Sequence, residues 1–418
     1  MNELQFTKKL DYRGTNIYIG IDVHKKNWGV CILTDQYEHK VFSQPPEPLV
    51  LVSYLRKNFP RGNYYSAYEA GFCGFWIAHE LERLGINNLV VNPSDIPTTD
   101  KEKKQKNDKR DARKIAKSLR SGTLIGIYVP EQQLLEDRLL VRTRQKLLAD
   151  IKRCKCRIKS HLNYFGVKIP QEYDKSYWSK SFRAWLTTDL FTGSAQVLIQ
   201  SLLEEMRQIE NQKKVLEKQI IRLANGTYKA TIALLLSIPG IGLLGAITLA
   251  TEIADMDRFK SQDQLHSFVG LVPNVYASGD TEKIGKITKR HNAFLRPVLI
   301  QCAWRWRAVK VDPKLGLDYI NLCKRMKKNR AIVRIAKKLM NRVRFVWKHQ
   351  QEYNCNLYTF IGWEVCSREL QHSILRSLFL SSLQLPSYLS IIQKCSYLPL
   401  INSLLIEVWE GRLLVNVT

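Results

Sequence analysis

Residues 16–34, NIYIGIDVHKKNWGVCILT, hold two β-branched runs joined by a polar turn, and no other feature restricts the start of this chain as strongly. The pattern reads as a β-hairpin. Ile17, Ile19, Ile21 and Val23 share one face of its first strand, and Tyr18, Gly20 and Asp22 share the other. The segment is otherwise made for burial, so an acid on it has to be paired or metal-bound. A second extended run follows at 64–69, YYSAYE, then a helical pattern through Trp76, Ile77, Leu81 and Leu84. Leu89–Val91 read as a further strand, closed by Asn92-Pro93. From Asp108 to Leu119 the period is helical, with Ala112, Ile115, Ala116 and Leu119 on one side. Strands alternating with helices predict an α/β domain over 14–130.

The pattern over 131–229 is almost wholly helical. Within it 199–223 fits heptads, with Ile199, Met206, Lys213 and Ile220 at a and Leu202, Ile209, Leu216 and Leu223 at d. This predicts a coiled coil or a long helical hairpin, with Lys213 as the polar seam position that sets register. Residues 230–353 read as a third, mostly helical part with one glycine-rich extended insert at 270–287. The longest apolar run, Ile232 to Ala250, is about the length of a membrane span, but Pro239, Gly240, Gly242 and Gly245 interrupt it, which predicts two short buried helices. Residues 354–418 differ in composition from the rest: they are a small helical cap or sequence foreign to it, such as translation after a frameshift.

Charge then selects a partner. The 418 residues carry 65 Lys plus Arg against 38 Asp plus Glu, a net charge of +27, and 45% are apolar. That apolar share excludes a disordered chain, and the surplus of cations points to a polyanion, either nucleic acid or an anionic membrane surface. Basic stretches lie at 101–120, 151–161 and 283–310, the last interleaved with Trp304 and Trp306, while the tail from 354 nets zero. Any one such run can be a solvated face, but three together favour nucleic acid over a membrane. Lys109, Arg110 and Arg113 in the first run, and Lys283, Lys286, Lys289 and Arg290 in the third, are candidate phosphate contacts. Arg305 and Arg307 alternate with the two Trp, for which packing is the preferred role. The nine Cys are odd in number and scattered, with no zinc-type spacing, and MNELQFTKKLDYRG has no apolar leader core, so a reducing cytoplasmic setting is expected.

Four acids stand beside this charge. Asp22 projects from one strand beside small Gly20 and Glu69 ends the second extended run, while Asp108 and Asp111, three apart, share a helix face. Such a set can surround one or two Mg²⁺, a hard cation that takes oxygen ligands, and two ions would serve phosphodiester cleavage. Each acid also has an ordinary alternative: a turn-proximal acid at Asp22, a helix-start acid at Glu69, and partners of neighbouring Lys at Asp108 and Asp111. Ile238-Pro239-Gly240-Ile241-Gly242 resembles a helix-hairpin-helix turn, in which Gly240 and Gly242 would let backbone N–H groups approach phosphates; a tight interhelical turn is the alternative.

GIDVHK with Asp22, YEAG with Glu69, VNP at 91–93 and NDKRDARKIA with Asp108 and Asp111 resemble the DEDD transposases of the insertion-sequence 110/116/902 family. LLLSIPGIG at 234–242, FVGLVPNVYASGD at 268–280 and KIGKITKRHNAFLR at 283–296 extend the similarity over about 14–353, and it stops after Tyr353. The resemblance implies an α/β plus all-α chain: a RuvC-like (RNase H-type) DEDD nuclease domain at 14–130, a coiled-coil linker at 131–229 and a helical transposase domain at 230–353. It implies Asp22, Glu69, Asp108 and Asp111 as Mg²⁺ ligands and Ser278, in YASGD, as nucleophile. It further implies an RNA-guided recombinase acting on element-end and target DNA as a dimer to tetramer, in the bacterial cytoplasm with the nucleoid and away from membranes. A junction-resolving nuclease without a serine link, or an inactive element remnant that binds nucleic acid, are the alternatives.

Overall fold

The computed structural model describes residues 11–96, 108–175, 177–188, 190–278, 281–308 and 313–354, with backbone alone at 108–109, 276–278, 281–283, 307–308 and 313. The tail after Asn354 lies outside these residues. The chain divides into two compact units, one of 1–229 with 247–255 and one of 230–246 with 256–418.

The first unit is built on a five-stranded sheet in the order β3-β2-β1-β4-β5. β1 (Asn16–Val23) and β2 (Trp28–Thr34) form the anticipated antiparallel hairpin. β3 (Glu38–Gln44) extends it, while β4 (Asn63–Glu69) and β5 (Asn87–Val91) join parallel to β1 on its other side. The β-branched face of β1 makes one core: Ile17, Ile19 and Ile21 pack with Leu51 and Leu55 of α1 (Pro48–Asn58) and with Ile77 and Leu81 of α2 (Trp76–Arg83). The opposite face carries α3 (Asp108–Arg120), whose Ala112 and Ala116 lie on Cys31 and Leu33 and whose Ile115 meets Ala67 and Val91. β3 and α1 are additions to the sequence reading.

α4 (Gln132–Tyr164) and α6 (Gly193–Asn225) run antiparallel along each other, separated by a segment holding the short α5 (Lys180–Trp185). Arg144 meets Glu217 at 2.7 Å and Arg157 meets Glu205 at 2.8 Å, while Ile158 and Leu162 pack with Ile199 and Leu202. The heptads thus close a helical hairpin inside one chain. Lys213 at the polar seam position reaches Glu217 at 2.7 Å, which also holds Arg144, so the seam's one cation belongs to an ionic cluster.

The second unit holds α7 (Lys229–Leu236) and the first turn of α8 (Leu243–Ile253), the pair into which the long apolar run breaks at Pro239-Gly240. No described helix is long and apolar enough to cross a membrane. α9 (Gln262–Val269), a β6 (Pro273–Ser278) and β7 (Thr281–Ile287) hairpin, α10 (Leu295–Ala308), α11 (Pro313–Arg325) and α12 (Lys328–His349) follow. The chain is therefore mixed α/β in its N-terminal part and helical in its C-terminal part.

Candidate functional site

Three acids can be followed from the sheet register. Ile21 of β1 is paired with Tyr68 of β4, so Asp22 and Glu69 are the next residues of two adjacent parallel strands, at their C-terminal edge. Each lies two residues beyond a residue under α3, Gly20 and Ala67, and alternation puts both acids on the α3 side of the sheet. Arg120, at the last turn of α3, donates from Nη1 to the Thr34 carbonyl at 3.2 Å, and Thr34 stands opposite Ile17 at the start of β1. α3 therefore runs antiparallel to β1 and brings its first turn, with Asp108 and Asp111, toward the edge where Asp22 and Glu69 end.

This arrangement depends on Gly20. A Cβ there would stand 2.1 Å from the Ala112 carbonyl oxygen and 2.4 Å from the Ala116 nitrogen, so α3 rests directly on the β1 backbone. Arg113 ties the same helix to β3, donating from Nε and Nη2 to Glu38 at 2.7 to 3.0 Å, and the bond to Arg113 holds the Glu38 carboxyl below its usual range. Arg113, a candidate phosphate contact, thus has a carboxylate partner within the protein. Arg110 is exposed, and the Lys109 side chain lies outside the described residues.

Asp22, Glu69 and Asp111 are each half-buried. His24 Nε2 lies 3.1 Å from Asp22 Oδ2. Among the described residues no three His, Cys, Asp or Glu side chains form a metal-sized group; the Asp108 side chain is not among them. The donor chemistry of four carboxylates suits a hard divalent cation. Burial pushes the Cys31 thiol up to about 12 and that of Cys302 to about 11, which removes both as nucleophiles at neutral pH.

Ser278 belongs to the second unit. It is the last residue of β6, in register with Thr281, and only Gly279-Asp280 separate the two strands. In the same register Tyr276 stands opposite Lys283 and Ala277 opposite Glu282. The hairpin is held at its base by Arg296, whose Nη1 donates to the Gly270 carbonyl at 3.1 Å and to the Thr288 carbonyl at 2.8 Å. Lys286, Lys289 and Arg290 are exposed; the side chains of Ser278, Lys283 and Arg307 lie outside the described residues.

The interhelical turn has a packing reason for its glycine. Gly240 has φ +86°, and a Cβ on it would stand 2.6 Å from Trp306 Cβ and 2.8 Å from the Cys302 carbonyl oxygen. Trp306 is buried on this turn and Trp304 packs edge-on to Tyr319, so both Trp serve packing. A Cβ on Gly242 would lie 3.2 Å from the guanidinium of exposed Arg305. The second basic stretch is largely paired: Arg153 meets Asp150, Arg157 meets Glu205, and Lys155 lies over the Trp178 ring. The sequence reading passes over Glu38 and the cations of 324–348, although the charge of that last segment is plain in the sequence.

Comparison with known proteins finds relatives of both parts of the chain. A DEDD-type model of insertion-sequence 110, described as "Transposase", matches residues 19–166, which include all four acids. A model described as "Transposase IS116/IS110/IS902 family" matches residues 232–319, which include Ser278. "Putative transposase y4qE" of Sinorhizobium fredii is 28% identical over 314 residues, 73% of this chain and 74% of that protein. "Transposase for insertion sequence element IS1533" of Leptospira borgpetersenii is 26% identical over 70% of this chain and 85% of its own length. "Transposase for insertion sequence element IS1111A" of Coxiella burnetii is 24% identical over 65% of this chain and 74% of its own length. Two models in chain order cover more than half of the residues, and the chain belongs to the IS110/IS116/IS902 family of transposases, enzymes that recombine DNA.

Proposed function

We propose that this transposase excises and inserts its own insertion sequence through a covalent link between Ser278 and DNA, with Mg²⁺ held by Asp22, Glu69, Asp108 and Asp111. The observation that carries the proposal is that two adjacent parallel strands bear Asp22 and Glu69 side by side at their C-terminal edge, toward which the first turn of α3 runs with the other two acids. A RuvC-like nuclease domain at 14–130, a coiled-coil linker at 131–229 and a transposase domain at 230–353 with a helix-hairpin-helix-like turn are the corresponding parts. Bound Mg²⁺ would supply charge neutralisation at the scissile phosphate. The chain's own steps are then simple. Ser278 Oγ attacks the phosphorus, loses its proton, and the cleaved strand leaves with a free hydroxyl. The phosphoserine ester retains the energy of the broken phosphodiester, so a strand hydroxyl can attack it, release Ser278 and reseal without ATP. Arg110, Lys109, Lys283, Lys286, Lys289 and Arg290 would hold phosphates nearby, with Gly240 and Gly242 offering backbone N–H groups. A guide RNA pairing with element and target, and a dimer to tetramer of this chain, complete the proposal.

A cell-based excision assay with the flanking element DNA tests it, comparing the wild type with Asp22→Asn, Ser278→Ala and a chain truncated after Tyr353. Loss of excision in both point variants is expected. Excision that survives Asp22→Asn would remove the acids from the mechanism. Cleavage without strand exchange in Ser278→Ala would instead indicate a hydrolytic nuclease.

A further inference from the structure

The second unit carries a cationic surface outside every segment considered so far. Residues 324–348 contain eleven Lys and Arg and no acid. They span the end of α11 and nearly all of α12, beyond residue 319, where the match to the transposase model stops. α12 is amphipathic: Ala331, Ile332, Ile335, Ala336, Leu339, Met340, Val343 and Val346 are buried along one side. Lys324, Arg325, Lys327, Lys328, Arg330 and Arg334 are exposed.

Two features separate this surface from an ordinary solvated helix. The first is the contrast with the α4 and α6 pair, where Arg144, Arg157 and Lys213 all have a carboxylate partner within 2.8 Å. On α12 Lys338 is likewise paired with Asp318, and Lys348 with Asp257 at 3.1 Å, but Lys327, Lys328, Arg330 and Arg334 crowd its start, and Arg330 and Arg334 stand four apart, a spacing at which like charges destabilise a helix. The second is polarity. Lys327 caps the N-terminus of α12 and Lys328 begins it, with no acid in the first turn, so cations sit where the helix dipole disfavours them. At the start of α12 the cations repel one another and oppose the helix dipole, and a polyanion laid across them would relieve both penalties.

We infer that Lys324, Arg325, Lys327, Lys328, Arg330 and Arg334 form a nucleic-acid backbone surface at the α11–α12 junction, separate from the Ser278 hairpin and read without regard to base sequence. The ligand chemistry is a row of phosphodiesters, which duplex DNA and structured RNA share. The inference rests on the proposed function only for its partner class, and its test involves no cleavage, so failure of the serine or metal assignment leaves the result readable.

The experiment measures binding of the full chain to a random 30-base-pair DNA duplex and to an RNA hairpin over a range of KCl concentrations. The variant Lys327→Gln/Lys328→Gln/Arg330→Gln/Arg334→Gln is compared with Lys57→Gln/Lys168→Gln/Lys175→Gln/Lys218→Gln, which removes equal charge from exposed positions elsewhere. With about 0.9 counterion released per phosphate contact, the α12 variant should lower the slope of log K against log salt by roughly three to four, while the control lowers it by less than about one. A loss limited to one probe names the nucleic acid; a loss on both supports a shared surface. Equal changes in the two variants, or no change with α12 still folded by circular dichroism, would overturn the inference.

Discussion

Replacing Gly20 with Ala adds one methyl group at the point where α3 touches β1. The new Cβ would lie 2.1 Å from the Ala112 carbonyl oxygen and 2.4 Å from the Ala116 nitrogen, against an ordinary contact of 3.4 Å or more. Both neighbours are backbone, so no side-chain rotation relieves the clash and α3 must withdraw by about 1 Å or more. Overpacking of this kind costs about 1–3 kcal/mol. The larger effect is on the reaction: α3 carries Asp108 and Asp111 away from Asp22 and Glu69, and a misplacement of about 1 Å at a reacting centre costs on the order of 100-fold in rate. Excision should therefore fall about 100-fold at a temperature where thermal melting shows the variant still folded. Gly316→Ala is the matched control, because a Cβ there meets nothing within 4 Å; inside α11 it should add about 0.5–1 kcal/mol and leave excision unchanged. Wild-type excision and melting in Gly20→Ala would refute the close-contact account of how the acids are placed.

Two further predictions concern buried groups. Glu252 is 1% exposed and is held by Arg142 through Nε at 2.6 Å and Nη2 at 2.8 Å. Arg142→Ala should cost about 3–5 kcal/mol by urea unfolding, and a joint replacement of both residues by Leu and Met should recover most of it. His266 is buried, and burial followed by Lys337 lowers its pKa from 6.5. The unfolded chain then takes up a proton that the folded chain refuses, so stability should be full above about pH 6.5 and fall as pH drops below it. Melting temperatures between pH 5 and 7.5, compared with His266→Gln, check the sign; a stability that rises on acidification in this window would contradict it.

Much of the first unit was legible because its elements bury one face. The Ile17, Ile19, Ile21 alternation marks β1, and the Ala112, Ile115, Ala116 period marks α3. β3 escaped because it is an edge strand with several exposed positions, so its alternation is weak. α1 escaped because Pro45, Pro46 and Pro48 precede or open it and read as loop, although Pro48 sits at the first turn, where the missing N–H is no loss. The heptads of α6 revealed a partner helix but not its direction, which the Arg144–Glu217 and Arg157–Glu205 pairs define. Asp22 and Glu69 could be singled out as acids on strands made for burial, yet their adjacency is a property of the parallel β1–β4 pairing, to which residues 24–62 contribute no local signal. At Gly240 the local motif carries no sign of the packing demand from Trp306 and Cys302, more than 60 residues away in sequence.

The most direct test of the account is to trap the protein on element-end DNA, quench it in detergent, digest it with protease and nuclease, and map the modified peptide by mass spectrometry. A nucleotide phosphate esterified to the peptide containing Ser278, and absent from both Ser278→Ala and Asp22→Asn, is the predicted result. Strand exchange that proceeds in Ser278→Ala, or an adduct on another residue of the active wild type, would contradict the account.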